Sequence, residues 1–95
     1  MYVLIREYDG LDTKMRETVT QKANTELRPL LAKSMGFVSY ELIQPDEKSD
    51  TVASISVFDT RANAEASSKV AGDWVRSNLP SLTKPANIAG ELVAH

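Results

Sequence analysis

Apolar and polar residues alternate along four stretches of this chain, and the two longer stretches between them repeat their apolar residues every four positions. The first period belongs to strands and the second to helices. Residues 2–8 read as a strand of β-branched and aromatic types, closed by a turn at Asp9-Gly10. Asp12 is a good N-cap, because its carboxylate can accept from the first free amides of a helix. Met15, Val19, Ala23 and Leu27 then mark that helix's buried stripe. Pro29 lacks an amide hydrogen and crowds the preceding turn, so a kink or restart is expected near Arg28. Leu30 and Leu31 continue the apolar face, and Gly36 is expected to end it as a left-handed cap. Residues 37–44 and 51–58 are two further strands, joined as a hairpin through the polar segment from Gln44 to Asp50. Asp59 or Thr60 caps a second helix whose stripe is Ala62, Ala66, Val70 and Trp74, with Ala71 and Val75 beside it. Pro80 stops it. A loop follows to Pro85, and 86–95 is the last strand.

The order is therefore strand, helix, strand, strand, helix, strand. Each strand-helix-strand half requires a right-handed crossover, and the central hairpin joins the halves. The expected fold is ferredoxin-like α+β, βαββαβ: a four-stranded antiparallel sheet with both helices on one face, formed by residues 1–95 as a single domain. The alternation assigns the helices to the more apolar face: Val3 and Ile5, then Val38, Tyr40 and Leu42, then Ala53, Ile55 and Val57, then Ile88, Gly90 and Leu92. That leaves open a mixed face with Tyr2, Leu4, Arg6, Tyr8, Phe37, Ser39, Glu41, Ile43, Val52, Ser54, Ser56, Phe58, Ala89, Glu91, Val93 and His95. This face carries too much contiguous apolar surface for a monomer, so a partner is expected on it.

Composition narrows the function. At 95 residues with a net charge of −2, the chain shows no basic stripe or block of like charge. No nucleic-acid partner is expected. The absence of cysteine removes thiolate nucleophiles, thiolate metal sites and the metal-chaperone role open to this fold. The first residues alternate as a strand instead of forming a signal peptide. No apolar run approaches the roughly 20 residues of a membrane helix. A cytoplasmic protein without a membrane partner is the default. RNA-recognition modules of this shape stack bases on exposed central-strand aromatics, and the third strand, Thr51 to Phe58, offers only a terminal Phe58.

The run Gly36-Phe37-Val38-Ser39-Tyr40-Glu41-Leu42, the strand Ser54-Ile55-Ser56-Val57-Phe58 leading into a capped helix, and Trp74 on that helix resemble the dimeric α/β-barrel superfamily. Within it, the chain resembles the antibiotic-biosynthesis-monooxygenase-like group. The resemblance implies a homodimer whose sheets pack face to face into one eight-stranded barrel, with a pocket in each subunit between sheet and helices or inside the barrel. It implies a cofactor-independent monooxygenase, using no cofactor or metal, that acts on an aromatic or hydroquinone-like metabolite. Haem-degrading members carry an asparagine on the first strand and a histidine ligand on the second helix. This chain has Arg6 and Glu7 on the first and no histidine on the second, which disfavours haem chemistry. The alternative on the same fold is a non-catalytic, small-molecule-binding or stress-associated dimeric barrel protein. A plain assembly module would instead have a filled barrel.

The candidate catalytic residues are Arg6, Glu91 and His95. Arg6 and Glu91 sit on neighbouring strands and are expected to pair, either as a structural ion pair or as an anion or phenolate clamp. His95, the sole histidine, has the one side chain whose ordinary pKa lies near neutrality, although a terminal residue often frays. The candidate substrate-binding residues are Tyr8, Ser54, Ser56 and Trp74. Tyr40 is expected on the helix side and Tyr8 on the open side. A tryptophan on a helix stripe is commonly a core anchor. The serines lack an assignable histidine–carboxylate relay, so they read as small, hydrogen-bonding interior residues and not as nucleophiles.

Overall fold

The computed structural model describes residues 1–47, 50–82 and 86–94. Strand β1 (Tyr2–Tyr8) leads into a helical arm made of a 3-10 turn (Thr13–Met15), α1 (Arg16–Lys22), a π turn (Ala23–Leu27) and α2 (Arg28–Ala32). The hairpin β2 (Phe37–Ile43) and β3 (Val52–Phe58) follows, then α3 (Arg61–Asn78) and β4 (Ala86–Glu91). The sheet order is β2-β3-β1-β4 with every pairing antiparallel, which is the ferredoxin-like α+β arrangement expected.

Local chemistry accounts for the boundaries. Asp12 accepts from the Lys14 amide at 3.0 Å, and the Thr60 hydroxyl accepts from the Asn63 amide at 3.2 Å, making Thr60 the cap of α3. Pro29 produces the expected restart: the π turn ends at Leu27, and α2 begins at Arg28 with the proline in its first turn, where a missing amide hydrogen costs little. The arm ends at Ala32, four residues before Gly36. Gly36 does take the left-handed conformation, with φ +79, but at the entry to β2 and not as the helix cap. L side chains rarely adopt that φ, and a Cβ there would also strike the Asp59 carboxylate, so glycine is strongly favoured.

The largest departure from expectation concerns the two faces of the sheet. In β1, β3 and β4 the faces are exchanged. Tyr8, Val52 and Phe58, assigned to the open side, are buried beneath the helices. Tyr40 and Leu42 lie on the helix side as expected, opposite Ser56 and Ser54. The register slips between Phe37 and Ser39. This bulge reconciles β2 with its neighbours: it places Phe37 opposite Phe58, and the rings meet edge to face at 5.8 Å. The covered face thus holds Leu4, Arg6, Tyr8, Ser54 and Ser56. The uncovered face holds Val3, Ile5, Ala53, Ile55 and Val57. Ile5 lies between Ile55 and Ile88 in register, and Ile88 is 70% exposed.

The stripe of α3 is also rotated from the expected one. Ala64 and Ser67 are buried, with Ala71, Trp74 and Val75 half-buried, whereas Ala62, Ala66 and Val70 are exposed. Two hydrophobic clusters form beneath the helices, one around Tyr8, Leu11, Val19, Val52 and Leu79, the other around Ala23, Leu27, Leu31 and Tyr40. Trp74 and Leu42 pack against both and so join them across the middle of the fold.

Candidate functional site

The polar residues on the covered face of β1 and β3 face the helices across a cavity. Its walls are Leu4, Arg6, Tyr8, Ser54 and Ser56 from the central strands, Tyr40 and Leu42 from β2, Ala23, Leu27 and Leu31 from the helical arm, and Ser67, Ser68, Ala71 and Trp74 from α3. Its enclosed volume is about 40 Å³, room for a few water molecules at roughly 10–15 Å³ each. At Arg6, Tyr8 and Ser68 it adjoins a wider groove of about 870 Å³ between α3 and the β1–β4 edge, lined also by Lys69, Gly72, Arg76 and Asn87.

Five of the expected site residues share this cavity: Arg6, Tyr8, Ser54, Ser56 and Trp74. Tyr8, expected on the open side, is under the helices. Arg6 stands where the cavity and groove meet. Its Nη2 donates to the Ser68 carbonyl at 3.2 Å. The expected Arg6–Glu91 pair does not form. Arg6 lies opposite Asn87, whereas Glu91 lies opposite Tyr2 at the other end of the strand. Glu91 is exposed and accepts from the Met1 amino terminus at 3.5 Å. His95 lies outside the described residues.

Hydrogen bonding inside the cavity is incomplete. Ser67 donates to the Ala64 carbonyl at 2.8 Å, a bond within its own helix. Among the described residues the hydroxyls of Ser54, Ser56, Tyr8 and Tyr40 have no partner. Unpaired hydroxyls within an apolar wall are what an incoming polar group would satisfy. Burial, then the neighbouring Tyr8, pushes the Tyr40 phenol up to about 12, against the opposing charge of Arg28. The Arg28 guanidinium lies over the Tyr40 ring, 5.5 Å from its centroid. At neutral pH Tyr40 is a hydrogen-bond donor and not a base.

The cavity wall contains neither carboxylate nor imidazole among the described residues. No group of three His, Asp or Glu side chains is placed among them to hold a metal ion. Among them no helix is long and apolar enough to cross a membrane. The sequence pattern does not single out Ser67 and Ser68, because it sets the stripe of α3 on Ala62, Ala66 and Val70. Counting back from Trp74 by three, seven and ten leads instead to Ala71, Ser67 and Ala64, the face that is buried.

The family model for antibiotic biosynthesis monooxygenase matches residues 1–71, from β1 into α3. No curated protein matches the chain in sequence. Several solved structures share its fold. SnoaB from Streptomyces nogalater, a cofactor-independent oxygenase, aligns at TM-score 0.72 and 14% identity over 99% of this chain and 94% of its own. MhuD from Mycobacterium tuberculosis, a heme-degrader with two hemes in its active site, aligns at 0.76 and 12% over 100% and 98%. A dimeric ferredoxin-like protein from an uncultured marine organism aligns at 0.72 and 11% over 100% and 97%. These identities establish a common fold. With the family model spanning most of its length, the chain belongs to the antibiotic biosynthesis monooxygenase family.

Proposed function

We infer that this member of the antibiotic biosynthesis monooxygenase family is a homodimer that binds a phenolic or hydroquinone-like molecule across the cavity beneath its helices and the groove it adjoins, and oxygenates it without a cofactor. The observation that carries the reading is the cavity itself: apolar walls, unpaired serine and tyrosine hydroxyls, and one guanidinium at the mouth. SnoaB, of the same fold, is a cofactor-independent oxygenase, which supports the reaction class.

In such a reaction the substrate supplies the electrons. A hydroquinone ionises, and its carbon-centred electron density reduces dioxygen. One oxygen atom enters the ring to give a hydroxyquinone, while the other leaves as water with two hydrogens of the substrate. The protein's part is to ionise, desolvate and place the substrate. Arg6 stabilises the phenolate, Ser54, Ser56 and Tyr8 hold the ring oxygens, and Trp74 packs against the ring. The proton leaves to water through the groove. Glu91 is too far along β4 to receive it.

Dimerisation is supported by the uncovered face. Val3, Ile5, Ile55, Val57 and Ile88 form an apolar surface that a second sheet would bury. The marine relative of the same fold is dimeric.

A non-catalytic binder is the second reading, favoured by the absence of carboxylate and imidazole from the cavity wall among the described residues. Calorimetry and oxygen uptake with one hydroquinone panel separate the two. Binding with uptake above the spontaneous rate is expected. Binding without uptake selects the second reading, and the absence of both overturns the site.

A further inference from the structure

The groove outside the cavity has a charge pattern that the phenolic reading does not use. Its lining holds three cations, Arg6, Lys69 and Arg76, against one carboxylate, Glu65. Glu65 is already engaged by Arg61 at 2.8 Å. Arg76 pairs with Asp73 through Nη2, while its Nη1 turns toward Gly72. Arg6 spends Nη2 on the Ser68 carbonyl, and its Nη1 also turns toward Gly72. A Cβ built on Gly72 would lie 3.6 Å from Arg76 Nη1 and 4.0 Å from Arg6 Nη1. Two guanidinium groups therefore converge over one glycine, in a chain whose net charge is −2.

Folding does not account for that glycine. Gly72 sits inside α3, where glycine is the costliest ordinary residue because it loses the most backbone freedom. A methyl group at this position would make only ordinary contacts. What the missing side chain leaves is a notch, floored by helix backbone and flanked by the Nη1 groups of two guanidiniums. One charged donor on each side suits a planar anion with two oxygens.

We propose that the notch between Arg6 and Arg76 over Gly72 binds the carboxylate of the ligand, so that the substrate is an aromatic acid with its ring toward Trp74 and its anionic group in the groove. This rests on the cavity being a ligand site. It also resolves a matter of size, because about 40 Å³ is too little for a substituted ring system unless much of the molecule occupies the groove. Lys69 adds long-range attraction at the rim.

The test uses two probes of one shape, 2-naphthoate and 2-naphthamide, titrated by calorimetry into the whole protein at low salt. The acid is expected to bind tighter by about tenfold or more, the range of a charge-assisted pair. The preference should fall as salt rises. Arg76→Gln should remove most of it. Gly72→Asp places a tethered carboxylate in the notch and should abolish the preference. Because this variant leaves both arginines in place, it keeps the test valid even if a charge-removing variant folds poorly. Equal affinity for the two probes, or a preference that survives Gly72→Asp, overturns the notch and leaves the cavity standing as a neutral-ligand site. No binding of either probe overturns both.

Discussion

Arg6 on β1 donates across 3.2 Å to the main-chain carbonyl of Ser68 on α3. The bond ties the central strand to the helix at the point where the inner cavity meets the outer groove. It fixes one arm of the guanidinium and leaves the rest free for a ligand. The sequence pattern instead puts this arginine on the other side of the sheet, paired with a carboxylate.

A fixed cation at that position should lower the pKa of a bound phenol. The apparent pKa of 2-naphthol, followed by absorbance, is expected to fall by roughly one unit on binding. Arg6→Met should abolish the shift while the apolar contact to the ring persists. An unchanged shift in Arg6→Met would remove Arg6 from the site.

Gly36 should be irreplaceable. Its φ of +79 is costly for any other residue, and a Cβ would strike Asp59 Oδ1, the same oxygen that accepts from Asn63 Nδ2 at 2.8 Å. Gly36→Ala is expected to cost roughly 2 kcal/mol or more in urea unfolding. Gly36→Ala with Asp59→Ala should recover only part of the clash, because Asn63 Nδ2 also crowds the Cβ and the backbone strain remains.

Tyr40 makes a prediction about alkaline stability. Its phenol ionises at about 12 when folded, against 10.0 ordinarily. The unfolded chain therefore loses this proton first as pH rises. The stabilisation associated with the protonated phenol is whole below pH 10 and is lost progressively up to about pH 12. Absorbance of tyrosinate should show one of the three tyrosines titrating late. Tyr40→Phe should flatten the alkaline decline and cost little at pH 7, since no hydrogen bond to a described residue is lost.

The uncovered face should govern assembly. Ile55 lies opposite Ile5, which in turn lies opposite Ile88, so a charge at Ile55 would sit in the middle of the proposed contact. Light scattering should show a dimer for the native chain and a monomer for Ile55→Asp, with the circular dichroism of the fold retained. A native monomer at micromolar concentration would refute dimerisation through this face.

Much of the architecture was legible in the residues. Alternation marked all four strands, and Met15, Val19, Ala23 and Leu27 marked the helical arm, although Met15 proved 41% exposed. Asp12 and Thr60 announced their helices because capping is local chemistry. Pro29 announced the restart for the same reason. The element order then left a single well-supported topology. For the site, the residue types Arg6, Tyr8, Ser54, Ser56 and Trp74 could be named from the sequence, while Ser67 and Ser68 could not.

Only the tertiary structure decided which side of the sheet the helices cover. Alternation tells a strand's two faces apart, but it does not say which one meets a helix when both are partly apolar. The sequence pointed to the more uniformly apolar face, since burial of apolar surface drives folding. The protein does the reverse. It keeps Val3, Ile5, Ile55 and Val57 uncovered and folds Arg6, Ser54 and Ser56 under the helices. The bulge between Phe37 and Ser39 hid the relation between β2 and its neighbours, because one extra residue shifts the alternation by a face. The physical reason is that a strand's pattern records the burial of each face without recording what buries it. Here helices cover the face that holds the cavity, while the face of Val3, Ile5, Ile55 and Val57 stays uncovered.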